Sequence, residues 1–165
     1  MDITEPTVSE ILGRAMVARI ATVSKHGRPH VNPLYFVVVD GHIHLGTATS
    51  TLASHNVGAC PAVQVLFEIE AEPDDRRVLR LDGTAVVRTE PALIKQYRTG
   101  VAHKYVITPR GLWNMLVHPR QWRPMRRHLA GGAGCVLDVT PTSWELFLGA
   151  QRTKELRSSD SAEFP

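Results

Sequence analysis

Apolar residues first recur at helical spacing. Ile11 and Leu12 follow Val8 by three and four positions, Met16 follows Leu12 by four, and Thr7 precedes Glu10 by the three residues of a capping box. The spacing predicts a helix over residues 7–16. The period then changes to that of strands. Residues 17–23 are short and rich in β-branched side chains, and His26-Gly27 lies in the turn after them. Residues 30–39 read as a second strand. Pro33 near its start lacks a ladder donor and so marks an edge, a bulge or a ligand-facing break. Asp40-Gly41 is a hairpin signal, because both residue types tolerate positive φ, and residues 42–47 form the third strand. A short helix over 49–57, entered through Ser and Thr caps, is ended by Gly58 and Pro61. Strands over 62–71 and 78–88 follow.

Pro91 opens a helix in the manner of a first-turn proline. Residues 92–128 read as helical or irregular, with breaks at Gly100, Pro109, Pro119 and Pro124. After the glycine-rich stretch 131–134 come two closing strands, 135–140 and 144–148, and then a loose polar tail over 150–165. Three strands in succession through short turns favour an antiparallel meander curling into a small barrel over βαβ units. The fold class is therefore mainly β (α+β). It is one domain over 1–149, with a helical insert at about 91–130 before the last strands.

Composition narrows the class. A chain of 165 residues, 43% hydrophobic and 21% charged, fits one core of ordinary size and is not disordered. No apolar run reaches the roughly 20 residues of a membrane helix, so no membrane association is expected. No apolar segment of signal-peptide type follows the acidic start, which points to the cytoplasm. Cys60 and Cys135 then read as reduced, buried residues. Arg120, Arg123, Arg126 and Arg127 cluster with His118 and His128. A solvated helix face is the first reading there, and a nucleic-acid partner is not expected. Trp113 and Trp122 among these arginines also suit a planar anionic ligand.

Candidate chemistry is sparse. Nucleophile-elbow, P-loop, Cys-x-x-Cys and dinucleotide-fold glycine motifs are missing from the sequence. No catalytic side chain is assigned. His42 and His44 share one face of a strand, but with no third ligand at a persuasive spacing no metal site is expected. Glu68, Glu70, Glu72, Asp74 and Asp75 read as a solvated acidic loop.

The stretch RIATVSKHGRPHVNPLYFVVVDGHIHLGT, residues 19–47, resembles the opening of the pyridoxamine 5'-phosphate oxidase-like FMN-binding split β-barrel proteins. The likeness covers about 7–88 and returns at 136–148. It implies a homodimer with FMN at its interface, acting on a small-molecule substrate, most simply as an oxidoreductase. Carried over, Arg19, Ile20, Ala21 and Thr22 would line the flavin from the first strand, Asn32 and Pro33 from the second, and Thr47 from the third. Ser50 and Thr51 would sit at the start of the following helix, where free N–H groups receive phosphate. The family's tryptophan near its carboxyl-terminal strands has a counterpart in Trp144, followed by Arg152; a core tryptophan is the competing reading. One departure stands out. The family places Ser-Arg-Lys or Ser-x-Lys at the phosphate helix, whereas this chain has Thr51-Leu52-Ala53. A phosphate dianion needs charge or several donors. FMN is thus the implied cofactor, a deazaflavin or heme are its alternatives, and a non-catalytic flavin-, deazaflavin- or heme-sequestering protein is the alternative function.

Overall fold

The computed structural model describes residues 5–70, 72, 74–107, 134–148 and 151–156. The insert residues 113–128 lie outside them. Among these residues three α-helices, α1 (Pro6–Arg14), α2 (Leu52–Ala59) and α3 (Pro91–Ala102), accompany eight strands. These are β1 (Ala18–Val23), β2 (Pro29–Leu34), β3 (Phe36–Val39), β4 (His42–Thr47), β5 (Ala62–Glu68), β6 (Arg77–Arg88), β7 (Cys135–Leu148) and β8 (Gln151–Leu156). All pairings are antiparallel, in the order β2-β1-β5-β6-β7-β4-β3, with β8 added to β7. This is the split-barrel architecture.

The two ends of that sheet are consecutive in the chain. The single strand expected over 30–39 is two strands, β2 and β3, separated by Tyr35. They lie at opposite edges of the sheet, so the turn at Tyr35 is where the curled sheet closes on itself. Such a switch strips backbone groups of ladder partners. Two tyrosines supply them. Tyr97 of α3 donates its hydroxyl to the Tyr35 carbonyl at 3.2 Å. The Tyr105 hydroxyl accepts from the Phe36 N–H and donates to the Phe36 carbonyl, at 3.2 and 3.1 Å. Tyr105 sits on a π-helical turn, His103–Ile107, that continues α3. Burial raises the pKa of both phenols, which therefore stay protonated and able to donate.

Pro33 lies on β2, which among the described residues is an edge strand paired with β1, the position in a sheet where a missing N–H is tolerated. The Asp40-Gly41 hairpin has positive φ at both residues, 49° and 81°, as its sequence predicts. The two closing strands are one, β7. Its partner β6 shifts register between Asp82 and Gly83, opposite Ser143 and Pro141, so Thr142 is the extra residue of a bulge. The Pro141-Thr142 kink had looked like a strand end. Part of the expected tail is ordered too: Gln151–Leu156 pairs with β7.

α1 starts at Pro6 in its first turn, not through a Thr7–Glu10 capping box; no side chain caps it. Its buried Val8, Ile11 and Leu12 join the barrel core, at about 1.5–3 kcal/mol for each side chain. Glu10 is instead held by Arg77 and Arg14, which keep its carboxyl down at about 2. The acidic loop is likewise engaged. Asp75 chelates Arg77, Glu72 meets Arg14, and the Glu70 carboxylate accepts from the Met16 and Val17 N–H groups. Expected as a free solvated patch, it fastens α1 to the barrel rim.

Lys104 completes this end. Its Nζ donates to the Leu12 carbonyl at 2.9 Å and lies 3.4 Å from the Phe36 ring centroid. Burial lowers its pKa from 10.5 to about 7. Between those values the unfolded chain binds a proton that the folded chain does not, so stability rises with pH from about 7 to 10. We expect this rise to be about 1–3 kcal/mol, because the cation–π contact offsets part of the desolvation. It should vanish in Lys104→Met. Denaturant melts of both proteins across that range test it, and parallel pH profiles would refute it. Among the described residues, no helix is long and apolar enough to cross a membrane.

Candidate functional site

Alternation along β1 decides which of its residues meet a ligand. Ala18, Ile20 and Thr22 are buried, while Arg19, Ala21 and Val23 face outward. The run 19–22 is therefore divided between two faces. Cross-strand register extends the outward face: Ala21 pairs with Val31 and Gln64, and Gln64 pairs with Asp82. A groove of about 580 Å³ runs along it, lined by Ala21, Thr22, Val23, Pro29, Gln64, Asp82, Thr84 and Thr142 among others. Gln64, Asp82, Thr84 and Thr142 went unnoticed in the sequence. Periodicity shows which residues share a face, but not which strand lies alongside.

At the end of β4, the hydroxyls expected to hold a phosphate are engaged with one another. Thr51 caps α2, accepts from the Ser54 N–H at 3.4 Å and donates to the Ala48 carbonyl at 2.8 Å. The Thr47 hydroxyl lies 3.0 Å from that of Thr51, and with the Thr51 proton already committed it is the donor. Ser50 is exposed. α2 ties this corner to β1, because the buried Asn56 amide donates to the buried Thr22 hydroxyl at 3.0 Å. Ala21, Thr22, Thr47 and Thr51 are thus connected through one short helix.

The remaining expected residues scatter. The Arg19 guanidinium lies 2.7 Å from a Glu68 carboxylate oxygen, so its charge is already compensated. Asn32 turns its Oδ1 inward, buried and without a hydrogen-bond partner among the described residues, and Pro33 is exposed. Ile20 is a core residue with no exposure. Trp144, 1% exposed, packs in the core 6.3 Å from Phe67, on the face of the sheet opposite the groove. Of the two clamp positions on α2, Leu52 is 46% exposed and Ala53 is buried in the core.

Fit to an FMN-like group divides in the same way. The outward groove offers strand backbone, Gln64 and apolar side chains to a planar ring. The α2 start offers hydroxyls and a helix N-terminus carrying roughly half a positive charge. α2 itself carries no lysine or arginine for a phosphate. Both cysteines are free thiols. Burial pushes the Cys135 thiol up, which makes it a poor nucleophile at neutral pH.

A second cluster stands apart from the groove. His42 and His44 converge on Asp138 of β7, whose Oδ1 lies 2.7 Å from His42 Nδ1 and 3.5 Å from His44 Nε2. Burial lowers the pKa of His44, and the neighbouring Asp138 opposes that shift.

Comparison with known proteins bears on the whole chain. The family profile described as pyridoxamine 5'-phosphate oxidase matches residues 4–127. No curated protein matches the chain. Among solved structures, the heme storage protein HutZ from Vibrio cholerae is similar at 19% identity and a TM-score of 0.63, covering 90% of this chain and 95% of that one. An FMN-binding, pyridoxamine 5'-phosphate oxidase-related protein from Nostoc punctiforme has 16% identity and a TM-score of 0.60, over 92% and 88% of the two chains. A structure described as an F420 reductase has 21% identity and a TM-score of 0.55, over 82% and 94%. At these identities the likeness is one of fold.

Proposed function

The chain belongs to the pyridoxamine 5'-phosphate oxidase family, and from that premise we propose that it is a flavin-binding split-barrel oxidoreductase acting on a small molecule. The observation that carries this reading is the groove along the outward face of β1 and β5, joined to the α2 start through the Thr22–Asn56 hydrogen bond. Ala21 is proposed to meet the ring system from the outward face, Thr22 and Asn32 through their backbone since their side chains turn inward, and Thr47, Ser50 and Thr51 the phosphate end. Arg19 and Pro33 border the same face. Ile20 and Trp144 act behind it, as core. A bound flavin supplies hydride and electron transfer, so the chain needs no nucleophile of its own.

A homodimer belongs to the same proposal. Val23 and Val31 stand exposed on the outward face, 37% and 61%, beside the groove. A second copy covering that face would shelter them and close the groove. Its interface should be about 2,000 Å² or more. The cytoplasm is the proposed compartment.

The exposed Leu52 favours a second reading, in which a deazaflavin or heme occupies the groove, or the protein stores such a ligand without turnover. Titration of ligand-free protein with FMN separates the two. Restoring the cation must be done at Leu52, because a lysine at Ala53 would enter the core. Leu52→Arg is expected to tighten FMN binding by about 1–2 kcal/mol at fixed salt. Riboflavin, lacking the phosphate, should be indifferent. Tight binding by the natural sequence with no gain from arginine would instead assign the phosphate charge to the partner protomer. Failure of FMN and riboflavin alike to bind would overturn the flavin reading. The same sample should scatter light as a dimer at micromolar concentration; a monomer would overturn the assembly.

A further inference from the structure

Two histidines on one strand make half of a metal site, and the fold supplies a third ligand that the sequence places far away. His42 and His44 project from the same face of β4. Register sets Asp138 of β7 directly opposite His44. Its carboxylate reaches between the two rings, 2.7 Å from His42 Nδ1 and 3.5 Å from His44 Nε2. The three donor atoms lie within 4.8 Å of one another. We propose that His42, His44 and Asp138 bind a divalent first-row transition-metal ion of the zinc type, at a site separate from the flavin groove.

The spacing suits that ion. Ligand bonds of about 2.0–2.1 Å at tetrahedral angles put donor atoms ~3.3 Å apart, close to the 3.5 Å between His44 and Asp138, while the 2.7 Å His42–Asp138 contact must open to admit the ion. Two imidazoles with one carboxylate match zinc, cobalt, nickel or copper rather than the all-oxygen shells of magnesium and calcium. Burial is graded from a closed floor to an open mouth: the side chains of His44, Asp138 and His42 are 5%, 18% and 40% exposed. Three protein ligands with one open side leave the fourth position to water or another small ligand.

An independent observation concerns His44 itself. Its ring is almost wholly buried, yet its Nδ1 has no hydrogen-bond partner among the described residues, and its Nε2 stands beyond good hydrogen-bond reach of Asp138. Burying an imidazole so poorly satisfied costs stability, and a metal bond at Nε2 would offset part of that cost while leaving Nδ1 as it is. The nearby cation, Arg88, is paired with Glu90 at 3.0 Å.

Cobalt is the probe, because its visible absorption reports nitrogen and oxygen ligation directly. The full chain, stripped by chelator, is titrated with Co²⁺ and the bound ion then displaced with Zn²⁺. One Co²⁺ per chain is expected. His42→Ala and Asp138→Asn should each weaken binding at least about tenfold, while His26→Ala, in the exposed β1–β2 turn, leaves it unchanged. His42 is sufficiently exposed for its alanine variant to fold, and circular dichroism without metal checks this. Absence of Co²⁺ binding at 100-fold excess, or a His42→Ala protein that titrates like the natural one, would overturn the site. Neither outcome depends on whether a flavin binds.

Discussion

Replacing Trp144 with alanine is expected to cost about 3–5 kcal/mol of folding stability, the range for removing a buried tryptophan. The residue is 1% exposed, faces Leu81 across the β6–β7 ladder and lies beside Phe67. It packs as a keystone between two strands, and we expect it to act there rather than in a ligand wall. Trp144→Phe discriminates further. The indole Nε1 is buried without a partner among the described residues, and such an orphan donor costs about 1–3 kcal/mol. Phenylalanine gives up volume but removes that orphan, so its net cost should stay below about 2 kcal/mol. Flavin affinity of the folded Trp144→Phe protein should match the original. Denaturant unfolding and ligand titration on both variants make the test. A stable Trp144→Ala protein that had lost its flavin would reverse the assignment and return Trp144 to the site.

Gly46→Ala is expected to be nearly as damaging, at about 2–4 kcal/mol. A Cβ there would fall 2.3–2.4 Å from the Cε1, Cζ and hydroxyl oxygen of Tyr97. Tyr97 is 1% exposed and cannot swing aside without releasing the Tyr35 carbonyl. The change thus combines overpacking with loss of the tyrosine hydrogen bond to the Tyr35 carbonyl, which then keeps only its longer bond from the Gly46 N–H at 3.4 Å among the described residues. Tyr97→Ala is expected to be costly by itself, yet to make Gly46→Ala almost free of further cost. A double-mutant cycle should show favourable coupling of at least about 1 kcal/mol. Additive losses would mean that the sheet bends away from the new methyl group and that the contact between Gly46 and Tyr97 does not set the closure.

Much of the architecture was legible because it is local. The Asp40-Gly41 turn, the change of period after Met16 and the proline opening α3 each depend on a few neighbouring residues. What escaped was non-local. The 30–39 run alternates well enough for one strand, and only the closing of the sheet onto itself makes Tyr35 a switch point. Pro141 resembles a strand terminus until β6 is seen shifting register to accommodate it. The site divides likewise. The carry-over named residues 19–22 as one run, but strand geometry turns Ile20 and Thr22 away from Arg19 and Ala21. Asp138 was invisible as a partner of His42, since nothing in a sequence announces which strand will lie beside β4.

The placement of β7 has a consequence for how the chain is made. β7 fills the gap between β6 and β4, and His42 meets Asp138 across a separation of 96 residues. A ribosome adding ~5–20 residues per second leaves β4 waiting about 5–20 s for that partner. Through this interval the β4 edge stands unsatisfied, joined by the β6 edge once that strand is made, and each is able to pair with a stranger. Slow, late closure of this kind makes the yield of soluble protein sensitive to translation speed and to holding chaperones, independently of the stability of the finished barrel.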